Sequence, residues 1–202
     1  MRILCTETTP GLADETAARL GAAGHEVVRC FDPDSGPSRP CVGLDRDACP
    51  LDLPGGVDVV VDVRSQDEPH PVVHEQGTTC AIRRHVPLVV HGTGWPNPFA
   101  RWTTVAVSDG DVVDACADAV RRHLNDLAAT AAIAARRVVD DGVQGTGGDV
   151  RATVDRRGRE LRVVVHRPAA AAASDGTIAV RIHQALRAAG VDHESLSISC
   201  VA

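Results

Sequence analysis

Apolar and polar positions follow two alternating periods through the first 110 residues. Arg2-Ile-Leu-Cys-Thr6 is a short apolar run that predicts a buried strand. Leu12, Ala13, Thr16, Ala17 and Leu20 then return on one helical face, and Gly21 and Gly24 stop it. A second strand is predicted at His25 to Phe31, a third at Val57 to Val63, and a helix opening on proline at Pro71 to Arg84. Val86 to Val90 is almost unbroken aliphatic sequence, the mark of a strand covered on both faces, and Thr103 to Val107 makes a fifth.

Between the second and third strands, residues 32 to 56 are rich in Pro, Gly and Asp without periodicity, and read as a long loop. Ser108-Asp-Gly-Asp111 fits a helix-capping sequence. From Val112 through Cys116, Val120, Leu124, Leu127, Ala131 and Ala134 to Val138 one apolar stripe persists for about 27 residues at 3.6 per turn. Its first half is expected to cover the sheet and its second half to project. A glycine-rich break follows at 140 to 149. Val150, Ala152 and Val154 then alternate, Arg156-Arg-Gly-Arg159 turns, and Leu161, Val163 and Val165 alternate again as a hairpin. A helix carrying Ile178, Ile182, Ala185 and Ala189 and a last strand, Leu196 to Cys200, complete a β-β-α-β pattern.

Strands separated by helices predict the α/β class: a five-stranded, mostly parallel sheet, Rossmann-like or flavodoxin-like, then a long connecting helix and a small α+β unit. The expected division is 1–125 for a ligand-binding-type α/β domain, 126–148 for helix extension and linker, and 149–202 for the small unit. A unit of that size needs a neighbour to pack against, and a homodimer is the expected assembly.

Composition narrows the chemistry. All 21 basic residues are Arg and there is no Tyr, as expected of a GC-rich bacterial coding sequence. A chain without Lys cannot form a Schiff base to pyridoxal phosphate or supply a phosphate-loop lysine, and one without Tyr lacks the Tyr/Lys pair of much hydride chemistry. No apolar run of membrane-spanning length and no signal-peptide pattern occurs, so a cytoplasmic protein without a membrane partner is expected. The net charge of −6 is concentrated toward the N-terminal part. Arg151, Arg156, Arg157, Arg159 and Arg162 gather on the predicted hairpin. That patch is short and has no aromatic residue to stack a base, so it reads as a solvated face and nucleic acid is not an expected partner.

In an open parallel sheet, ligands bind beyond the carboxyl ends of the strands, where strand order reverses. The candidates there are Thr6 and Glu7, Cys30 and Asp32, Asp62 with Arg64 and Ser65, and His91-Gly92-Thr93-Gly94. The first turn, Thr6-Glu-Thr-Thr-Pro-Gly11, lacks the spacing of a dinucleotide-binding loop. Val57 to Asp62 followed by Val86 to Gly94 nonetheless resembles the later strands of nicotinamide-dependent reductases, which implies NAD(P) near His91 to Gly94. Five strands ending near residue 107 with a helix running onward also resemble the receiver domains of response regulators, which implies Asp62 near the phosphoacceptor position and Thr93 near the switch threonine. The single Glu7 after the first strand, in place of an acidic pair, and the absence of any lysine depart from the receiver pattern and argue against phosphorylation.

Seven cysteines without a secretion signal point to free thiols. Cys5, Cys80, Cys116 and Cys200 fall on apolar faces and are expected in cores. Cys30, Cys41 and Cys49 flank or lie in the long loop near Arg29, Arg39 and Arg46. If the loop folds over the strand ends they supply soft ligands for zinc or an iron–sulfur cluster, and Cys41 and Cys49 alternatively form a redox pair. His70 and His74 are set as surface residues, because Pro69 and Pro71 hold His70 off the helix. No nucleophile elbow or isolated carboxylate pair is visible. The sequence therefore favours a regulatory or accessory protein that binds a small ligand, metal or protein partner. A nucleotide-dependent or thiol-based oxidoreductase using His91, Thr93 and Cys30 is the first alternative, and a purely structural partner-binding protein the second.

Overall fold

A computed structural model of the chain describes residues 1–31, 41–42, 49–65, 67–92, 97–108, 110–142, 149–169, 174–191 and 193–201. Contacts divide it into two compact units, Met1–Arg121 and Arg122–Ala202.

In the first unit the elements are β1 (Arg2–Glu7), α1 (Asp14–Ala22), β2 (Glu26–Arg29), β3 (Val59–Val63), α2 (Gln76–Arg83), β4 (Leu88–His91) and β5 (Thr103–Val107), followed by the start of α3 (Val112–Gly142). All four strand pairings are parallel, in the order β2-β1-β3-β4-β5. This is the flavodoxin-like order, with its switch point between β1 and β3. β3, Val-Val-Val-Asp-Val, is buried along its whole length, as β-branched residues covered on both faces should be.

Strand alternation sorts the core into two layers. Ile3, Cys5, Val59, Val61 and Val89 pack against Ala13 and Leu20 near α1 and Val112, Ala115, Cys116 and Ala119 of α3. Leu4, Val60, Leu88 and Val90 pack on the other face with Ala81 of α2, Cys30, Leu51 and Phe99. The helix expected from Pro71 begins instead as a 3-10 turn, Val73–Glu75, before α2. The Glu75 carboxylate turns back to accept a hydrogen bond from Val72 N at 2.7 Å, which holds that tighter turn.

The second unit contains the remainder of α3, β6 (Arg151–Arg157), β7 (Glu160–His166), α4 (Asp175–Ala188) and β8 (Ser195–Val201). β6 and β7 are antiparallel, β7 and β8 parallel, and the order is β6-β7-β8. The hairpin turns through Gly158 at φ 61°, a conformation that suits glycine. Ser174 caps α4, its hydroxyl accepting from Thr177 N at 3.2 Å. The second half of α3 does not project bare: Leu127, Ala131, Ala134, Ala135 and Val139 sit in one core with Leu161, Val163, Val165, Ile178, Ile182 and Leu186. The helix thus supplies the packing partner that a β-β-α-β pattern alone lacks. Among the described residues no helix is long and apolar enough to cross a membrane.

Candidate functional site

At the β1/β3 switch point the same alternation separates the candidate residues. Thr6 and Asp62 continue the Leu4 and Val60 rows and face α2. Glu7 and His91 face α1. Thr93, Gly94 and Asp32 lie outside the described residues.

On the α2 face the side chains close into one buried network. Thr6 Oγ1 donates to Asp62 Oδ1 at 2.8 Å and lies 2.6 Å from Thr78 Oγ1, which is itself 3.4 Å from Asp62 Oδ1. Arg64 pairs with Glu75 and approaches Asp62 Oδ2 at 3.6 Å. Its second guanidinium nitrogen donates to the Glu68 carbonyl at 2.6 Å and more distantly to that of His70, and Arg64 Cζ lies 5.6 Å from the Phe99 ring centre. One cation thus serves two carboxylates, with Glu75 the closer. Asp62 Oδ2 has no hydrogen-bond donor among the described residues. Burial pushes the Asp62 carboxyl up to about 6, against the opposing effects of Thr6, Arg64 and Thr78.

Asp62 and Glu75 are wholly buried and Arg64 nearly so. A carboxylate in that position cannot meet a phosphodonor, so the phosphoacceptor role implied by the receiver resemblance does not fit Asp62. α2 comes this close because Gly77 has no side chain: a Cβ there would stand 2.8 Å from the Cys30 sulfur and 3.0 Å from Thr6 Cγ2.

The α1 face is simpler. Glu7 Oε2 accepts from Ala13 N at 2.8 Å, placing an anion at the start of α1, and Oε1 lies 3.9 Å from Arg29. His91 Nδ1 is 3.0 Å from Thr16 Oγ1. Burial, with Arg19 adding to it and Glu15 opposing, pulls the His91 pKa below its ordinary value. Gly92 (φ 140°) is a packing requirement, since a Cβ would fall 2.2 Å from the Arg64 carbonyl oxygen. Below the rim, the buried Thr8 accepts at Oγ1 from Ser65 N at 2.9 Å and ties the β1 turn to the β3 turn.

Among the thiols, Cys5, Cys30 and Cys116 are buried and Cys41, Cys49 and Cys200 half-buried. Cys80 is exposed, contrary to its expected place in a core, because α2 turns Gly77, Thr78 and Ala81 inward and Cys80 away. Cys30, Cys41 and Cys49 belong to one apolar cluster, and Val42 N donates to the Cys30 carbonyl at 2.9 Å, laying that strip of chain beside the end of β2. Burial pushes the Cys30 thiol up to about 12. The neighbouring thiols of Cys41, Cys49 and Cys80 add to this, and Cys41 is within hydrogen-bonding reach of Cys30. Among the described residues no group of three or more His, Cys, Asp or Glu side chains has the arrangement of a metal site. The three cysteines predicted as zinc or iron–sulfur ligands are thus neighbours in one apolar cluster.

Arg64 stood in the strand-end set, but Glu75 and Thr78 did not. Their spacing with Ala81 on one helical face was the available signal, a carboxylate and a hydroxyl on the side of a helix that is otherwise apolar. On the predicted hairpin, Arg151 pairs with Asp149, Arg157 with Asp155 and Arg159 with Glu194. No protein-family model matches the chain, and no curated protein sequence matches it.

Proposed function

We propose that the chain is a regulatory or accessory protein whose N-terminal unit takes a small ligand or metal ion at the rim of the β1/β3 switch point and whose C-terminal unit mediates assembly. One observation carries this reading: the described titratable candidates in the crevice are already engaged internally. Glu7 holds the start of α1, Asp62 and Glu75 share Arg64, and His91 holds Thr16. Groups committed in this way are poorly placed as nucleophile or general base and well placed as a rigid support for a rim formed by the exposed turn at Thr9 to Gly11 and the half-buried Ser65.

Thermal denaturation of the full chain with NAD(P), flavin and adenine nucleotides and zinc tests it. A ligand at 100 times its Kd stabilises the native state by about 2.7 kcal/mol, and a rise in Tm with one of these probes is expected. A flat response across all of them sinks the ligand-binding half and leaves the purely structural reading.

The shared apolar cluster of Cys30 and Cys41 favours a second, thiol-based reading, in which hydrogen peroxide takes two electrons and two protons from the pair, its O–O bond breaks to give two waters, and an S–S bond replaces the two S–H bonds. Titration of free thiols before and after hydrogen peroxide then shows a loss of two per chain that Cys41→Ser prevents. An unchanged count in the parent protein eliminates this reading.

A further inference from the structure

Among the described residues, the three-stranded sheet of the C-terminal unit ends in two edge strands without a further strand paired to them, and they are built differently. β6, Arg-Ala-Thr-Val-Asp-Arg-Arg, has four charged residues in seven. β8, Ser-Leu-Ser-Ile-Ser-Cys-Val, has none and contains neither proline nor glycine. Charge along an edge strand discourages another strand from adding to it, so β6 is protected and β8 is not.

Beside β8 runs a groove of about 710 Å³, lined by Val180, Leu196 and Ile198 and by the polar His183, Arg187 and Glu194. Val180 is 55% exposed on the flank of α4. The inward residues of β7 are buried, whereas Leu196, Ile198 and Cys200 on β8 are only half covered. The sheet therefore ends with its apolar layer incompletely roofed. The strand that would complete it needs apolar residues on the inner face and small uncharged ones on the outer. β8 itself has that pattern.

We infer that β8 is the pairing edge of a symmetric homodimer, in which the β8 strands of two copies lie antiparallel about Ile198 and the groove beside each receives the α4 flank of the other. A two-fold axis makes every contact occur twice, and a groove bearing both Arg187 and Glu194 is complementary to its own copy. Pairing about Ile198 sets Ser197 opposite Ser199 of the second copy. The inference rests on the assembly half of the proposed function and is independent of its ligand-binding half.

Sedimentation equilibrium of the full chain tests it with two double variants at these exposed serines. Ser197→Lys with Ser199→Lys places like charges opposite each other at two cross-strand pairs and is expected to weaken the dimer Kd by about tenfold or more. Ser197→Lys with Ser199→Glu places opposite charges there and is expected to retain the dimer. Thr153→Lys on β6 should change nothing. A monomeric parent chain overturns the inference and leaves the edge to a strand of another protein, as does a double-lysine variant that dimerises normally. Equal loss in both double variants overturns the antiparallel register. The ligand-induced shift in Tm described above reads the other unit, so a failure here is distinguishable from a failure there.

Discussion

The two units bury different kinds of side chain. Among the described residues, every buried polar or charged side chain lies in the N-terminal unit: Thr6, Thr8, Thr16, Asp62, Arg64, Glu75 and Thr78. The core of the C-terminal unit is entirely aliphatic, from Leu127 on α3 through Val163 to Leu186 on α4. Sheet type alone does not account for this, because both units roof their strands with helices. The difference lies in the ends of β1 and β3, where the switch point leaves room between strands and α2 that hydroxyls and ions fill. A buried ion network contributes little net stability but is costly to break, because a stranded charge has no solvent. Trimming an aliphatic core costs the transfer free energy of the atoms removed plus that of the cavity they leave, with no charge left stranded.

The comparison is attacked most directly at Glu75. Glu75→Gln removes the closer of the two anions from Arg64 and should cost about 3–5 kcal/mol in urea unfolding; a loss below about 1 kcal/mol would show that the network is not the ionic one described. Asp62→Asn probes the other carboxylate through pH. Folding raises the Asp62 pKa from 3.8 to about 6, so the native state binds this proton more tightly than the unfolded chain. Asp62 therefore opposes folding at pH 7, and that handicap fades as pH falls from about 6 to about 4. The Asn variant, which keeps an oxygen for Thr6, should gain on the parent at pH 7 by on the order of 2–3 kcal/mol and lose that advantage by pH 4. An advantage that does not vary with pH would exclude titration of Asp62 as its cause. The smallest effect belongs to the aliphatic core. Ile182→Val should cost about 0.5–1.5 kcal/mol without pH dependence, and a pH-dependent cost would contradict the apolar character of that unit.

The fold was legible wherever one period dominated. The valine run of β3, the long α3 stripe and the strict alternation in β6, β7 and β8 each left an unambiguous pattern. The site was legible only at strand ends, where topology singles out positions whatever their chemistry, which is why Thr6, Asp62, Arg64 and His91 were candidates. Glu75 was not, because its spacing with Thr78 and Ala81 marks only a shared helical face, whereas burial of its carboxylate is decided by an arginine eleven residues away in sequence. Gly92 belongs to the predicted ligand-facing turn, and its lack of a side chain also answers to the Arg64 backbone carbonyl, a contact between segments that no local pattern reports.

The pairing of β1 also bears on how the chain is made. Thr6 meets Asp62 across 56 residues of sequence, and synthesis at about 5–20 residues per second takes roughly 3–11 s to cover that span. During that interval β1 has been made but lacks the strand that covers one of its edges, and Ile3, Leu4 and Cys5 await their partners. The β6–β7 hairpin closes through a local turn and can form in about 1–10 μs once it emerges. β1 therefore waits far longer for β3 than β6 waits for β7, and its apolar residues stay uncovered on that edge until β3 emerges.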